Sequence, residues 1–343
     1  MIPGGIFSFQ EFEKALAHRG FSEQASKLMA ASVRPKTSGR GYNYLVRIYM
    51  QWCKDQYPPI EPFSAPVTAV ANFLAWAQST RDLGQAAVAS FRSAISKIHV
   101  GVDGLPLGKN GAISNLIKGV GNADPDRKSR RPRYTDTWDM SCVLDALAKL
   151  HPPESLSVMD LAVKTLALVG MATISRSSTL GIMSRSFSLE DNEGEGATQL
   201  FVSFLPGEQE KAGSSRKGIF IPALEEETAL DPVAYLKAYK SRVPGAVMEQ
   251  SQEELAPLWV STRKPHRPVK SVTLASWMRK AMVKGGVDVS KYGAHSVRSA
   301  APAHFRKEKA LSLAQILARG GWKAASDGSS RTFVRFYERL ARS

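Results

Sequence analysis

Only two of the 343 residues are cysteines, Cys53 and Cys142, far apart and without the spacing of a metal site. They read as half-buried core thiols in a reducing compartment, so neither a disulfide framework nor a structural zinc is expected. No run approaches the ~18 apolar residues that a membrane-spanning helix needs. The N-terminus lacks the basic-then-apolar pattern of a signal peptide, and the chain is expected neither in a membrane nor secreted. Acidic residues are few: 31 Asp and Glu against 46 Lys and Arg leave a net charge of +15. That excess points to a polyanionic partner, nucleic acid before an anionic membrane surface. The carboxylates are not clustered as two-metal chemistry requires, and no glycine-rich loop of the phosphate-cradling kind occurs. Neither a metal nor ATP is therefore expected as a cofactor.

What is present is an ordinary globular composition, 43% hydrophobic and 22% charged, with material for two domains. The expected fold is mainly α with a small antiparallel β-hairpin. A helical domain spans 1–121, a basic linker 122–136, and an α+β domain 137–343. In the first domain, Phe9, Phe12 and Leu16, then Phe21, Ala25 and Leu28, recur at helical spacing. Further stripes follow: Tyr44, Ile48 and Trp52; Val67, Val70, Phe73, Leu74 and Ala77; Val88, Phe91, Ile95 and Ile98; Ile113, Leu116, Ile117 and Val120. Together they predict a compact helical bundle. Any one cation on such a bundle is ordinarily a solvated helix face. Arg40, Arg47, Arg92, Lys97, Lys109 and Lys118, recurring at helix starts and off the core faces, are what phosphate contacts require. The linker carries Arg130, Arg131 and Arg133 among prolines, a stretch suited to tracking a nucleic-acid backbone or to nuclear import, and equally to a merely soluble linker.

In the second half, Trp138, Val143, Leu144 and Leu147 begin a helical series, and Leu161 to Ala172 is apolar enough to be buried. Arg176 follows at the rim of that segment. No acidic residue lies between Asp160 and Glu190, so its guanidinium lacks a local carboxylate and anion binding is favoured. Residues 199–205 and 218–222 alternate as a hairpin around a long charged turn holding Lys211 and Lys217. Asp231-Pro232 starts a helix, residues 257–260 suggest a short strand, and Val272 to Lys284 is helical. His295 to Ala303, Leu311 to Leu317 and Ser330 to Leu340 read as the last three helices. His295 and Arg298, at i and i+3, are placed to share one anion. For H-x-x-R alone, a basic, partly buried helical tail is the better explanation. Gly321-Trp322 and Tyr337 complete a set suited to one phosphate: two arginines to clamp it, a histidine to accept a proton, a tyrosine to attack. Tyr235 and Tyr292 read as structural.

The order Arg176, hairpin lysine, His295-x-x-Arg298, Gly321-Trp322, Tyr337 resembles the tyrosine recombinases, the phage integrase family. Trp52-Cys53, Ser93-Ala94-Ile95, Ala294 to Ala300 and Thr332 to Tyr337 are most similar to recombinases of DIRS-type eukaryotic mobile elements. The resemblance implies Arg176 and Arg298 as phosphate clamps, His295 as general base, Trp322 as a hydrogen-bonding residue beside the phosphate and Tyr337 as nucleophile. Lys211 is the implied general acid, with Lys217 in reserve. It also implies double-stranded DNA as partner, a homotetramer on two duplexes (a monomer or dimer when free), and a nuclear location in a eukaryote or a cytoplasmic one otherwise. A DNA-binding protein of this fold that no longer cuts, and a type IB topoisomerase-like nicking-closing enzyme, fit the same residues. The family's carboxylate three residues after its first arginine is replaced here by Thr179.

Overall fold

The computed structural model describes residues 9–32, 39–102, 105–123, 136–191, 198–210, 215–224, 226–243, 254–308 and 310–342. The chain divides into two compact units, residues 1–130 and 131–343, each around its own apolar core. The architecture is mainly α with a small antiparallel sheet. Among the described residues no helix is long and apolar enough to cross a membrane.

The first unit holds α1 (Phe9–Ala17), α2 (Glu23–Ser32), α3 (Gly39–Lys54), α4 (Val67–Arg81), α5 (Gln85–Ile98) and α6 (Gly111–Ala123). Phe73 centres its core, with ring centroids 5.0 Å from Tyr49 and 5.5 Å from Phe91. Two expected stripes are rotated. Leu28 and Phe21 are exposed while Ser26 and Ala30 are buried, and in α3 Tyr44 is exposed while Val46, Tyr49 and Cys53 join Ile48 inside. A helical period fixes an apolar stripe only to within about one position, and here tertiary packing chose the neighbouring face. Cys142, expected half-buried, is exposed; Cys53 is buried.

The second unit is built on α8. Its elements are β1 (Asp136–Trp138), α7 (Met140–Ala148), α8 (Val158–Ala172), α9 (Ser177–Leu180), β2 (Met183–Asp191), β3 (Thr198–Phe204), β4 (Gly218–Pro222), α10 (Pro232–Arg242), α11 (Ser271–Lys284), α12 (Val297–Lys307), α13 (Leu313–Arg319), α14 (Arg331–Phe336) and β5 (Leu340–Arg342). Every residue from Leu161 to Met171 of α8 is buried, because α10, α11 and α12 all pack on it. A helix apolar on all sides has no other place. The Asp231 carboxylate accepts from Val233 N and Ala234 N, and Pro232 takes the first helical position, as its sequence predicts.

The hairpin expected over 199–205 and 218–222 is β3 and β4, paired antiparallel with Val202 opposite Ile219. A further strand, β2, lies on its other edge. Trp138 belongs to β1 and not to the helix that follows. The last helix stops at Phe336, and Leu340 enters β5, which runs parallel to β1 with Asp136 opposite Leu340. Residues 257–260 make single bridges, Ser184 to Pro257 and Val260 to Pro268, in place of a strand.

Candidate active site

The loop after α8 is the first wall of the site. Thr173 ends the helix, donating its hydroxyl to Val169 O at 2.7 Å. Ile174 then takes a left-handed backbone conformation at φ +52° while fully buried, a strained state for a β-branched residue. The strain has a visible return: the Ile174 carbonyl accepts from Arg298 Nη1 at 2.5 Å. Arg298 Nη2 donates to Gly320 O at 2.7 Å.

Arg298 is 1% exposed, and among the described residues no carboxylate pairs with it. Its Nε also lacks a partner there. A buried guanidinium held by two neutral carbonyls is costly unless an anion completes it. Burial, then the Arg176 charge, pulls its pKa down to about 10, still cationic at neutral pH. The cost assigned from sequence to Arg176 therefore falls on Arg298. Arg176 keeps 29% of its side chain exposed, and it does have a carboxylate: Glu210, 3.5 Å away across the hairpin turn. No search of neighbouring sequence could reveal that partner.

Trp322 follows α13 through Gly320 and Gly321. A Cβ on Gly320 would lie 1.8 Å from the indole, and Gly321 sits at φ +65°, so both positions need glycine. The indole stacks on Arg298, 4.1 Å from guanidinium carbon to ring centroid. Its Nε1 is buried with no acceptor among the described residues. Tyr337 caps the C-terminus of α14, its amide bonded to Phe333 O at 2.8 Å. Its ring lies 4.9 Å from Trp322 and 5.2 Å from Arg298.

His295 stands in a 3-10 turn, Ala294–Ser296, just before α12, so it does not share a helical face with Arg298. The two diverge, His295 exposed and Arg298 inside, yet both reach Tyr337. His295 Nε2 is 3.0 Å from the Tyr337 hydroxyl oxygen. Crowding by protein atoms, then the Arg298 and Arg176 charges, hold its pKa below the ordinary histidine value. The turn is anchored on β1: Trp138 Nε1 donates to Ser296 Oγ at 2.8 Å, and Tyr292 donates its hydroxyl to Asp136 at 2.8 Å. Because β1 also pairs with β5, one short strand fixes the His295 turn and the chain just beyond Tyr337.

Arg176, His295, Arg298, Trp322 and Tyr337 thus converge. Lys211 lies outside the described residues, as do Arg130, Arg131 and Arg133; Lys217 is exposed just before β4. Arg47, Lys97, Lys109 and Lys118 are exposed on the first unit, Arg92 is half-buried, and Arg40 belongs to α3, its side chain outside description. Sequence reasoning missed Glu210 and the Ile174 and Gly320 carbonyls. A signal existed for Glu210: it shares a turn with the lysine expected to reach the site.

No family model and no curated protein matches the chain. Among solved structures, XerH site-specific recombinase bound to palindromic difH substrate, a post-cleavage complex, matches at TM-score 0.53 and 14% identity, over 96% of this chain and 82% of that one. Its pre-cleavage complex with difH matches at TM-score 0.53 and 12% identity, over 100% and 88%. The chain shares the fold of a site-specific recombinase. A lambda integrase (75-356) dimer bound to a COC' core site also aligns, at TM-score 0.42 and 16% identity, over 93% and 92%. In this fold, the converging side chains come from the loop after α8, the turn before α12, α12 itself, the turn after α13 and the end of α14.

Proposed function

We propose that this protein cleaves and rejoins double-stranded DNA through a 3′-phosphotyrosyl intermediate on Tyr337. The observation that carries the reading is the surrounding of the Tyr337 hydroxyl: His295 Nε2 at 3.0 Å, and the carboxylate-free Arg298 beside it. The unpartnered Trp322 Nε1 adds a donor for a phosphate oxygen.

In the forward step the Tyr337 oxygen attacks the scissile phosphorus while unprotonated His295 Nε2 takes the phenol proton. Arg298, Arg176 and Trp322 donate to the non-bridging oxygens, where charge grows in the transition state. The bond from phosphorus to the 5′-oxygen breaks, and that oxygen leaves as a 5′-hydroxyl with a proton from Lys211, or from Lys217. Attack by a 5′-hydroxyl on the phosphotyrosine reverses every bond change, so no energy source is consumed.

Arg47, Arg92, Lys97, Lys109 and Lys118 of the first unit, with Arg40, Arg130, Arg131 and Arg133, supply phosphate contacts in this reading. The resemblance to DIRS-type recombinases supports integration or excision of a mobile element by a tetramer on two duplexes. The test is a suicide DNA substrate that traps the covalent complex on a denaturing gel. Wild type gives an adduct and Tyr337→Phe gives none; no wild-type adduct defeats the proposal. Products joining two duplexes distinguish strand exchange from a topoisomerase-like nicking-closing cycle.

A further inference from the structure

Glu210 is among the most enclosed carboxylates of the second unit, its side chain 2% exposed at the lip of the β3–β4 turn. Burying an ionised carboxylate demands partners. It has three. Arg176 Nη1 lies 3.5 Å from one oxygen and Arg216 Nη1 3.3 Å from the other. Thr179 Oγ1 donates to the first of these oxygens at 3.5 Å. The turn before Trp322 also rests on it, since a Cβ on Gly321 would meet both carboxylate oxygens at 3.0 Å.

We infer that Glu210 is the positioning residue for Arg176, delivered from the hairpin turn to the place Thr179 reaches from α9. What Arg176 then does rests on the phosphoryl-transfer reading above; that Glu210 orients it does not. A guanidinium offers five donors. The Nη1 paired with Glu210 biases the orientation of the plane and leaves the remaining edge for an anion. Arg176 is partly exposed on a short loop, so without this anchor its long side chain has rotamer freedom to lose on each encounter. Glu210 also supplies negative charge to a site where Arg176, Arg298 and Arg216 otherwise repel one another. Arg216 is braced in turn, donating to Arg319 O at 3.4 Å. The carboxylate therefore ties the hairpin turn to the loop after α8 and to the turn before Trp322.

Two arms test this. On the suicide substrate, Glu210→Gln is expected to slow adduct formation about 10- to 100-fold, a fraction of the loss from removing a transition-state donor outright. In the Arg176→Ala background the same change is expected to cost less than about threefold, because its partner is gone. Thr179→Glu combined with Glu210→Ala is expected to recover at least tenfold over Glu210→Ala, returning a carboxylate to the same place. Multiplicative losses, or Glu210→Gln at the wild-type rate, overturn the proposal. The second arm needs no cleavage: guanidinium 1H–15N signals are recorded on DNA-free protein, with Arg176 assigned through Arg176→Lys. The Arg176 signal is expected to be slow-exchanging in wild type and to broaden in Glu210→Gln while that of Arg298 stays. An unchanged Arg176 signal overturns the proposal even if the protein proves never to cut DNA.

Discussion

His295 Nε2 and the Tyr337 hydroxyl stand 3.0 Å apart, their rings meeting edge to face at 5.7 Å. The contact spans two elements that β1 holds from both sides, and the proposed reaction needs an unprotonated imidazole there to draw off the phenol proton.

Protonation of His295 is therefore the first prediction. Desolvation by the surrounding protein atoms, then Arg298 and Arg176, lowers its pKa, so the neutral imidazole persists below the ordinary value of ~6.5. An NMR titration of the His295 ring is expected to show a midpoint under that value. Arg176→Ala is expected to move it upward by removing one opposing charge. A midpoint at or above the ordinary value in wild type contradicts the electrostatic account.

The tyrosines separate into two kinds. Tyr292 is 6% exposed, with its hydroxyl on Asp136, so Tyr292→Phe is expected to cost about 1–3 kcal/mol of stability, the price of an unmet buried carboxylate bond. Adduct formation by the folded variant is expected to stay within about tenfold of wild type. Thermal unfolding and the gel assay read the two effects; loss of the adduct with full stability would reverse the assignment.

Lys164 carries a pH signature. It is fully buried in α8, donating to Leu150 O at 2.6 Å above the Tyr235 ring, and burial lowers its pKa to about 8 from 10.5. Between those values the unfolded chain binds more protons than the native one, so this group makes stability rise with pH from about 8 to 10.5. Below about 8 the cost of burying the charge is constant. Lys164→Met is expected to flatten that rise relative to wild type, measured by urea unfolding at several pH values. Leu150 O keeps the Tyr235 hydroxyl at 2.9 Å, so no acceptor is orphaned. An undiminished rise contradicts the buried charge.

For the first unit, Arg47→Ala and Lys118→Ala are each expected to weaken DNA binding across sequences and to lower the salt slope by about 1. An unchanged slope returns that residue to an ordinary solvated surface.

Much of this was legible in the sequence because it depends on local pattern. The apolar run of α8, the Asp231-Pro232 helix start and the alternation of β3 and β4 each announce themselves within a few residues. So did the residue types that gather at Tyr337, since their order along the chain carries a resemblance. What escaped is long-range. Arg176 meets Glu210 34 positions away, so its local sequence holds no carboxylate and does not show which arginine is uncompensated. Trp138 read as helical because β1 exists only where β5 pairs with it, 204 positions on. The Ile174 carbonyl that holds Arg298 depends on a left-handed backbone that isoleucine does not advertise.

The most direct test of the account is the identity of the covalently linked residue. Trypsin digestion of the trapped DNA adduct, followed by mass spectrometry, should find the 3′-nucleotide on the peptide Phe336–Arg339, attached through Tyr337. A nucleotide on any other peptide, or an adduct persisting in Tyr337→Phe, would contradict it.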